Sequence, residues 1–197
     1  DALADLGNTF IRMGSRVSEP LVCKNSNVID YAYQNYRTEL LDLYLTANCK
    51  FFISCGTGLD TLANIFQRPV LYVNFLPYIN FCPFLNIITV PKLLFSKQKN
   101  RLLTFKEIYQ IDICRFVYSD SYDKEGIEIV ENSADEIYDA ALEMERRLDG
   151  SWIEESMDLL LQQKFWEQFP RDQAFHQGEI KSRIGASFLR KYSYLFD

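Results

Sequence analysis

The chain has 197 residues, 48% apolar and 24% charged, with 27 acidic against 21 basic side chains and a net charge of −6. That composition excludes a wholly disordered chain, and an acidic balance with no basic run argues against a nucleic-acid footprint. No apolar stretch reaches the roughly 18 residues of a membrane span, since the densest, 75–95, is broken by Pro77, Pro83 and Pro91.

Taken in order, Asn8-Thr-Phe-Ile-Arg12 reads as a strand that stops before Gly14, and Val28-Ile-Asp-Tyr-Ala32 as a second. Leu40, Leu41, Tyr44 and Leu45 fall on one helical face within 37–48. Lys50-Phe-Phe-Ile-Ser54 is a third strand, stopped by Cys-Gly-Thr-Gly58. Leu59, Leu62, Ala63 and Phe66 then repeat at helical spacing, Pro69 ends that helix, and 70–74 is a fourth strand. Such alternation implies right-handed βαβ units and a parallel sheet, and near-continuous apolar strands after residue 50 imply helices on both faces.

The proline-broken, aromatic stretch 76–101 reads as a long excursion without regular structure. Capping boxes at Thr104–Glu107, Ser133–Glu136 and Ser151–Glu154 open three helices, the last two ending near Gly150 and Pro170. A final helix is expected over 181–194. The expected fold is therefore α/β, a Rossmann-like parallel sheet with flanking helices, forming one domain over 1–197 with a helical C-terminal part from about 151.

Five scattered cysteines (Cys23, Cys49, Cys55, Cys82, Cys114) without a CxxC pair fit neither a disulfide framework nor a zinc site. Free thiols in a reducing, cytoplasmic compartment are the expectation. The first residues carry no basic n-region or apolar h-region, and without an initiator Met the chain is expected to start partway through a longer protein.

The sharpest local signal is Ser54-Cys-Gly-Thr-Gly58, where a strand ends and a helix begins. Open α/β sheets bind ligands outside such strand ends. Gly56 and Gly58 admit close approach, while helix-start N–H groups and the Thr57 hydroxyl suit a phosphate; a plain strand-to-helix turn fits equally well. Arg12, followed by Met13-Gly14, places a guanidinium at another strand end, suited to a diphosphate or to a surface ion pair, with Arg16 a weaker second choice. Asp30, inside an apolar strand, is a site carboxylate or a solvent-facing one. Asn74, at the end of the fourth strand, is a ligand contact or a strand cap. His176, the sole histidine, lies in a polar loop without a nucleophile elbow, which argues against a His-dependent hydrolase. Phe165, Trp166 and Phe169 read as packing.

Several segments recur together: Ile11-Arg-Met-Gly14, Val28-Ile-Asp-Tyr-Ala32, Phe51-Phe-Ile-Ser-Cys-Gly-Thr-Gly58, Arg68-Pro69 and Asn74-Phe-Leu-Pro77. With Ile88-Thr-Val-Pro-Lys-Leu-Leu94 and Arg183-Ile-Gly-Ala-Ser-Phe-Leu-Arg190, this order resembles the C-terminal half of a family of bacterial glycosyltransferases of surface-polysaccharide and O-antigen synthesis. The resemblance implies one half of a glycosyltransferase-B fold, whose C-terminal domain holds a nucleotide-sugar donor and whose N-terminal partner domain, expected to be absent from this chain, supplies the acceptor site. It aligns Arg12 with an arginine that contacts the donor diphosphate, and Ser54, Gly56, Thr57 and Gly58 with a phosphate- or sugar-binding loop. Gly14, Asp30 and Asn74 complete the expected donor-binding set.

It further implies a metal-independent transfer, in keeping with the lack of a DxD motif, no cofactor beyond the nucleotide-sugar substrate, and a glycan or lipid-linked acceptor. No catalytic base is assigned, and peripheral membrane association stays open. A nucleotide-sugar epimerase of the same fold and a non-catalytic scaffold are the alternatives.

Overall fold

The computed structural model describes residues 1–171 and 180–196; His176 lies outside the described residues. In chain order the elements are β1 (Phe10–Ile11), β2 (Val28–Ile29), α1 (Glu39–Asn48), β3 (Phe52–Ser54), α2 (Asp60–Ile65), β4 (Val70–Phe75), β5 (Ile87–Pro91) and β6 (Leu93–Ser96). Then come β7 (Arg101–Leu102), α3 (Phe105–Gln110), α4 (Ser119–Lys124), β8 (Ile127–Val130), α5 (Ala134–Asp149), α6 (Ser156–Gln168), β9 (Arg183–Ile184) and α7 (Ala186–Lys191).

The architecture is α/β. A parallel four-stranded sheet runs in the order β3-β4-β5-β9, flanked by helices and compatible with a Rossmann-like fold. Val70, Leu71, Tyr72, Val73 and Phe75 of β4 are all buried, because both of its faces are covered. The expected strands 8–12 and 28–32 do form a parallel pair, Phe10 opposite Val28, but this pair is a separate two-stranded sheet. A third sheet, β7-β6-β8, is antiparallel.

Two capping boxes form as their local chemistry requires. Thr104 and Ser133 each accept the N3 amide of their helix, and Glu107 and Glu136 return the bond. Gly150, at φ +77, closes α5 in the left-handed conformation.

Three expectations are corrected. The stretch 76–101 holds β5 and β6, because Pro77 and Pro83 lie in the connection and Pro91 only ends a fully buried strand. The Ser151 box does not form. Glu154 is drawn into ion pairs with Arg147 (3.0 Å) and Arg183 (2.7 Å), and α6 starts only at Ser156. The C-terminal part is not wholly helical either. Gln162 of α6 accepts the Ile184 amide at 3.1 Å and donates to the Ile184 carbonyl, holding β9 against β5 as a strand.

The core between sheet and helices is aromatic. Phe81 packs its ring against Phe165, Trp166 and Phe169 at centroid separations of 5.6, 5.7 and 6.0 Å. Pairs at such distances add about 0.5–1.5 kcal/mol each beyond area burial. Phe165, Trp166 and Phe169 are packing residues, as expected from the sequence.

Candidate functional site

A cleft of about 1010 Å³ separates the small sheet from the large one. Residues 8–17 line one wall and 48–55 with 57–59 the other, so β1 and β3 face each other while β2 and β4 lie outside. The chain steps away from the cleft in both directions, from β1 to β2 and from β3 to β4 and β5. Such a reversal of strand order is where open α/β folds bind ligands, beyond the carboxyl ends of the strands.

At the end of β1 the Arg12 backbone is fixed on both sides: its N–H donates to Ile29 and its carbonyl accepts from Ala32, each at 2.8 Å. The guanidinium donates to the Glu19 carbonyl at 3.0 Å and to Asp30 Oδ2 at 3.3 Å. Asp30 sits just beyond β2, at the start of a 3-10 turn, and also accepts the Leu21 amide at 2.7 Å. It does not line the cleft. It stands behind Arg12, holding and partly neutralising it. Gly14, at φ +137, turns the chain away from β1 in a conformation that L side chains rarely adopt. Arg16 follows on the same wall, and among the described residues it has no hydrogen-bond or ion-pair partner.

The opposite wall is the 54–58 loop. Ser54, buried at 7% exposure, is its centre. Its Oγ donates to Asp60 Oδ2 at 2.7 Å and accepts the amides of Gly56 at 3.1 Å and Thr57 at 3.4 Å. Burial pushes the Asp60 carboxyl up from its ordinary value, opposed by the bonds from Ser54 and the Thr57 backbone. The amides of Gly56 and Thr57, expected to be free for a phosphate, are therefore turned inward. Gly56 is absent from the cleft wall; its φ of +84 favours glycine, and a Cβ there would meet the Phe75 ring at 3.6 Å. What the loop does present are the exposed Thr57, with open space beside Gly58 and the exposed thiol of Cys55.

Asn74 is placed elsewhere. Its N–H donates to Asn132 Oδ1 and its own Oδ1 accepts the Asn132 amide, both at 2.6 Å. The Asn132 amide group also donates to the Pro91 carbonyl at 2.9 Å. This clasp fixes Asn74 at φ +50 and ties the end of β4 to the start of α5, and Asn74 does not line the cleft.

The structure thus brings Arg12, Gly14, Ser54, Thr57 and Gly58 to one cleft, and Asp30, Gly56 and Asn74 to supporting positions behind it. Sequence reasoning missed Lys50, Arg37 and Asp42 on the wall. Lys50 pairs with Glu145 at 2.7 Å, and Arg37 with the buried Asp42. A carboxylate on the buried face of α1 was the one available signal. Of the four lining cations, Arg12 is paired with Asp30, Arg37 with Asp42 and Lys50 with Glu145, so the positive charge left over for an anion is that of Arg16.

Among the described residues, no group of three or more His, Cys, Asp or Glu could hold a metal ion, and no helix is long and apolar enough to cross a membrane. Comparison with protein families, curated proteins and solved structures finds no match for this chain.

Proposed function

We propose that the chain is the donor-binding half of a metal-independent glycosyltransferase of glycosyltransferase-B type, transferring a sugar from a nucleotide-sugar to a surface-polysaccharide, glycan or lipid-linked acceptor. The observation that carries this reading is the cleft where strand order reverses, with Arg12 and the unpaired Arg16 on one wall and Thr57 and Gly58 on the other. A leaving nucleoside diphosphate gains negative charge as the glycosidic bond breaks. Guanidinium groups facing a hydroxyl-bearing loop stabilise that charge. The sequence resemblance supplies the sugar-transfer chemistry, and the cleft supplies the anion preference.

An epimerase draws no support from the wall, where Asp42 is the lone carboxylate and, among the described residues, no histidine lies. A non-catalytic scaffold has one observation in its favour. Ser54 and two loop amides bond to each other, and Arg12 is already paired, so part of the expected donor site is satisfied without a ligand.

Melting curves in the presence of UDP-, GDP- and CMP-sugars separate these readings. The transferase reading expects one nucleotide class to raise Tm, as any ligand that binds the folded state must. No shift with any class favours the scaffold. Product analysis with the donor that binds then separates transfer from epimerisation.

A further inference from the structure

We propose that the chain carries a glycan-binding subsite of its own, an open hollow beside the cleft that holds an oligosaccharide through amide, hydroxyl and tyrosine side chains. The hollow, of about 810 Å³, is lined by 15–18 on one side and 32–35 on the other. Ser15, Arg16 and Val17 also line the cleft, so the two sites share a wall.

Both sides of the hollow hang on the Arg12–Asp30 pair. The chain that follows 15–18 is fixed by the Arg12 guanidinium, which donates to the Glu19 carbonyl at 3.0 Å, and by Asp30, which accepts the Leu21 amide at 2.7 Å. The other side is fixed by the Arg12 carbonyl, which accepts the Ala32 amide at 2.8 Å. Tyr31 beside it is buried, and its hydroxyl accepts from the Thr38 amide and donates to the Thr38 carbonyl, both at 3.2 Å. The loop 31–38 is thereby closed on itself, with Tyr33, Gln34 and Asn35 exposed. A frame fixed before its ligand arrives spares most of the cost of ordering it.

This frame presents chemistry for a polyol. Ser15, Ser18, Gln34 and Asn35 have no side-chain hydrogen-bond partner among the described residues, and neither has the Tyr33 hydroxyl. An amide offers a carbonyl and an NH₂ group side by side, a match for two neighbouring sugar hydroxyls, each of which donates and accepts. Tyrosine adds an apolar face for the C–H face of a pyranose and a polar tip, at little cost in side-chain entropy. Among the described residues no carboxylate lines the hollow and Arg16 is its one cation, so neither a polycation nor a polyphosphate is matched. Val17 and Ala32 are the only aliphatic residues there, which leaves no apolar recess for a peptide anchor.

Glycan binding stands on this chemistry alone; the use of the bound glycan as acceptor rests on the proposed function. In that use a glycan hydroxyl oxygen bonds to the sugar carbon, its proton passes to solvent, and the nucleoside diphosphate leaves with the electron pair of the bond that breaks.

The test is binding of the chain to an array of oligosaccharides built from neutral, amino and uronic-acid sugars, followed by titration of a bound one into wild type, Asn35→Ala, Tyr33→Ala and Tyr33→Phe. Both positions are exposed, so each variant should melt with wild type. A glycan site predicts at least one bound class, affinity at least tenfold lower for Asn35→Ala and Tyr33→Ala, and most of it kept by Tyr33→Phe, which retains the ring. No bound oligosaccharide, or equal affinity for wild type and both alanine variants, overturns the site. Array binding by a chain that no nucleotide-sugar stabilises upholds the site and removes its acceptor role. Nucleotide-sugar binding without array binding removes the glycan site and leaves the proposed function standing.

Discussion

Arg12 Nη1 stands 3.3 Å from Asp30 Oδ2, so the guanidinium at the end of β1 reaches the cleft with a carboxylate already behind it. Arg16, four residues on, has no such partner among the described residues. Arg12 therefore carries a structural role beside its place on the cleft wall, whereas Arg16 is left with a ligand role alone. Arg12→Ala should cost about 0.2–1 kcal/mol of stability, the worth of a partly exposed ion pair. Arg16→Ala should leave Tm unchanged and weaken anion binding by about 1.5–3 kcal/mol, the value of a hydrogen bond to a charged group. Urea unfolding and pyrophosphate titration on both variants check this; a loss of stability from Arg16→Ala alone would reverse the assignment.

Ser54 and Thr57 divide in the same way. Ser54→Ala removes the oxygen that serves Asp60 and the Gly56 amide, and should destabilise by about 1–3 kcal/mol because buried groups are left unpaired. Thr57→Val alters an exposed hydroxyl 3.4 Å from Ser54 Oγ. Its stability should stay within about 0.5 kcal/mol of wild type, with the loss appearing in ligand affinity. If Ser54→Ala melts with wild type, the loop's internal bonding is not what holds it.

Asn74→Ala should destabilise the chain by about 1–3 kcal/mol, since it leaves the Asn132 amide without its acceptor and places alanine at φ +50. Affinity for any cleft ligand should not change. A variant of normal stability with weakened binding would return Asn74 to the donor site.

Acid sensitivity should centre in part on Glu107. Its carboxyl is held well below the ordinary range, chiefly by the hydrogen bond from Arg101 and then by those from Lys99 and the Thr104 amide. A depressed folded value means that this stabilisation is fully present above the unfolded value of 4.5 and is lost as pH falls below it. Glu107→Gln keeps the capping geometry and removes the charge. Its stability deficit against wild type should be clear at neutral pH and should shrink below pH 4. An equal deficit at both pH values would show that charge is not the cause.

The parts of this fold that a sequence shows are those decided within a few residues. Thr104 and Ser133 cap their helices because the glutamate each needs is three positions on. Ser151 carries the same pattern, yet its Glu154 is claimed by Arg183, which only the folded chain brings near. β5 was hidden because Pro91 reads as a breaker while in fact it closes the strand.

The site follows the same division. The turn at 54–58 and the cation at 12 lie where strand ends predict. That Ser54 satisfies its own loop, that Asp30 pairs with Arg12, and that Asn132 claims Asn74 from 58 positions away are tertiary facts. Arg16 gains its interest from what does not touch it, which no spacing encodes.

Isothermal titration of UDP-, GDP- and CMP-sugars into the wild-type chain and into Arg16→Ala tests the central claim most directly. A nucleotide-sugar-binding cleft predicts saturable heat with one nucleotide class and at least tenfold weaker binding to Arg16→Ala. No heat with any of the three, or equal binding to both proteins, would contradict it.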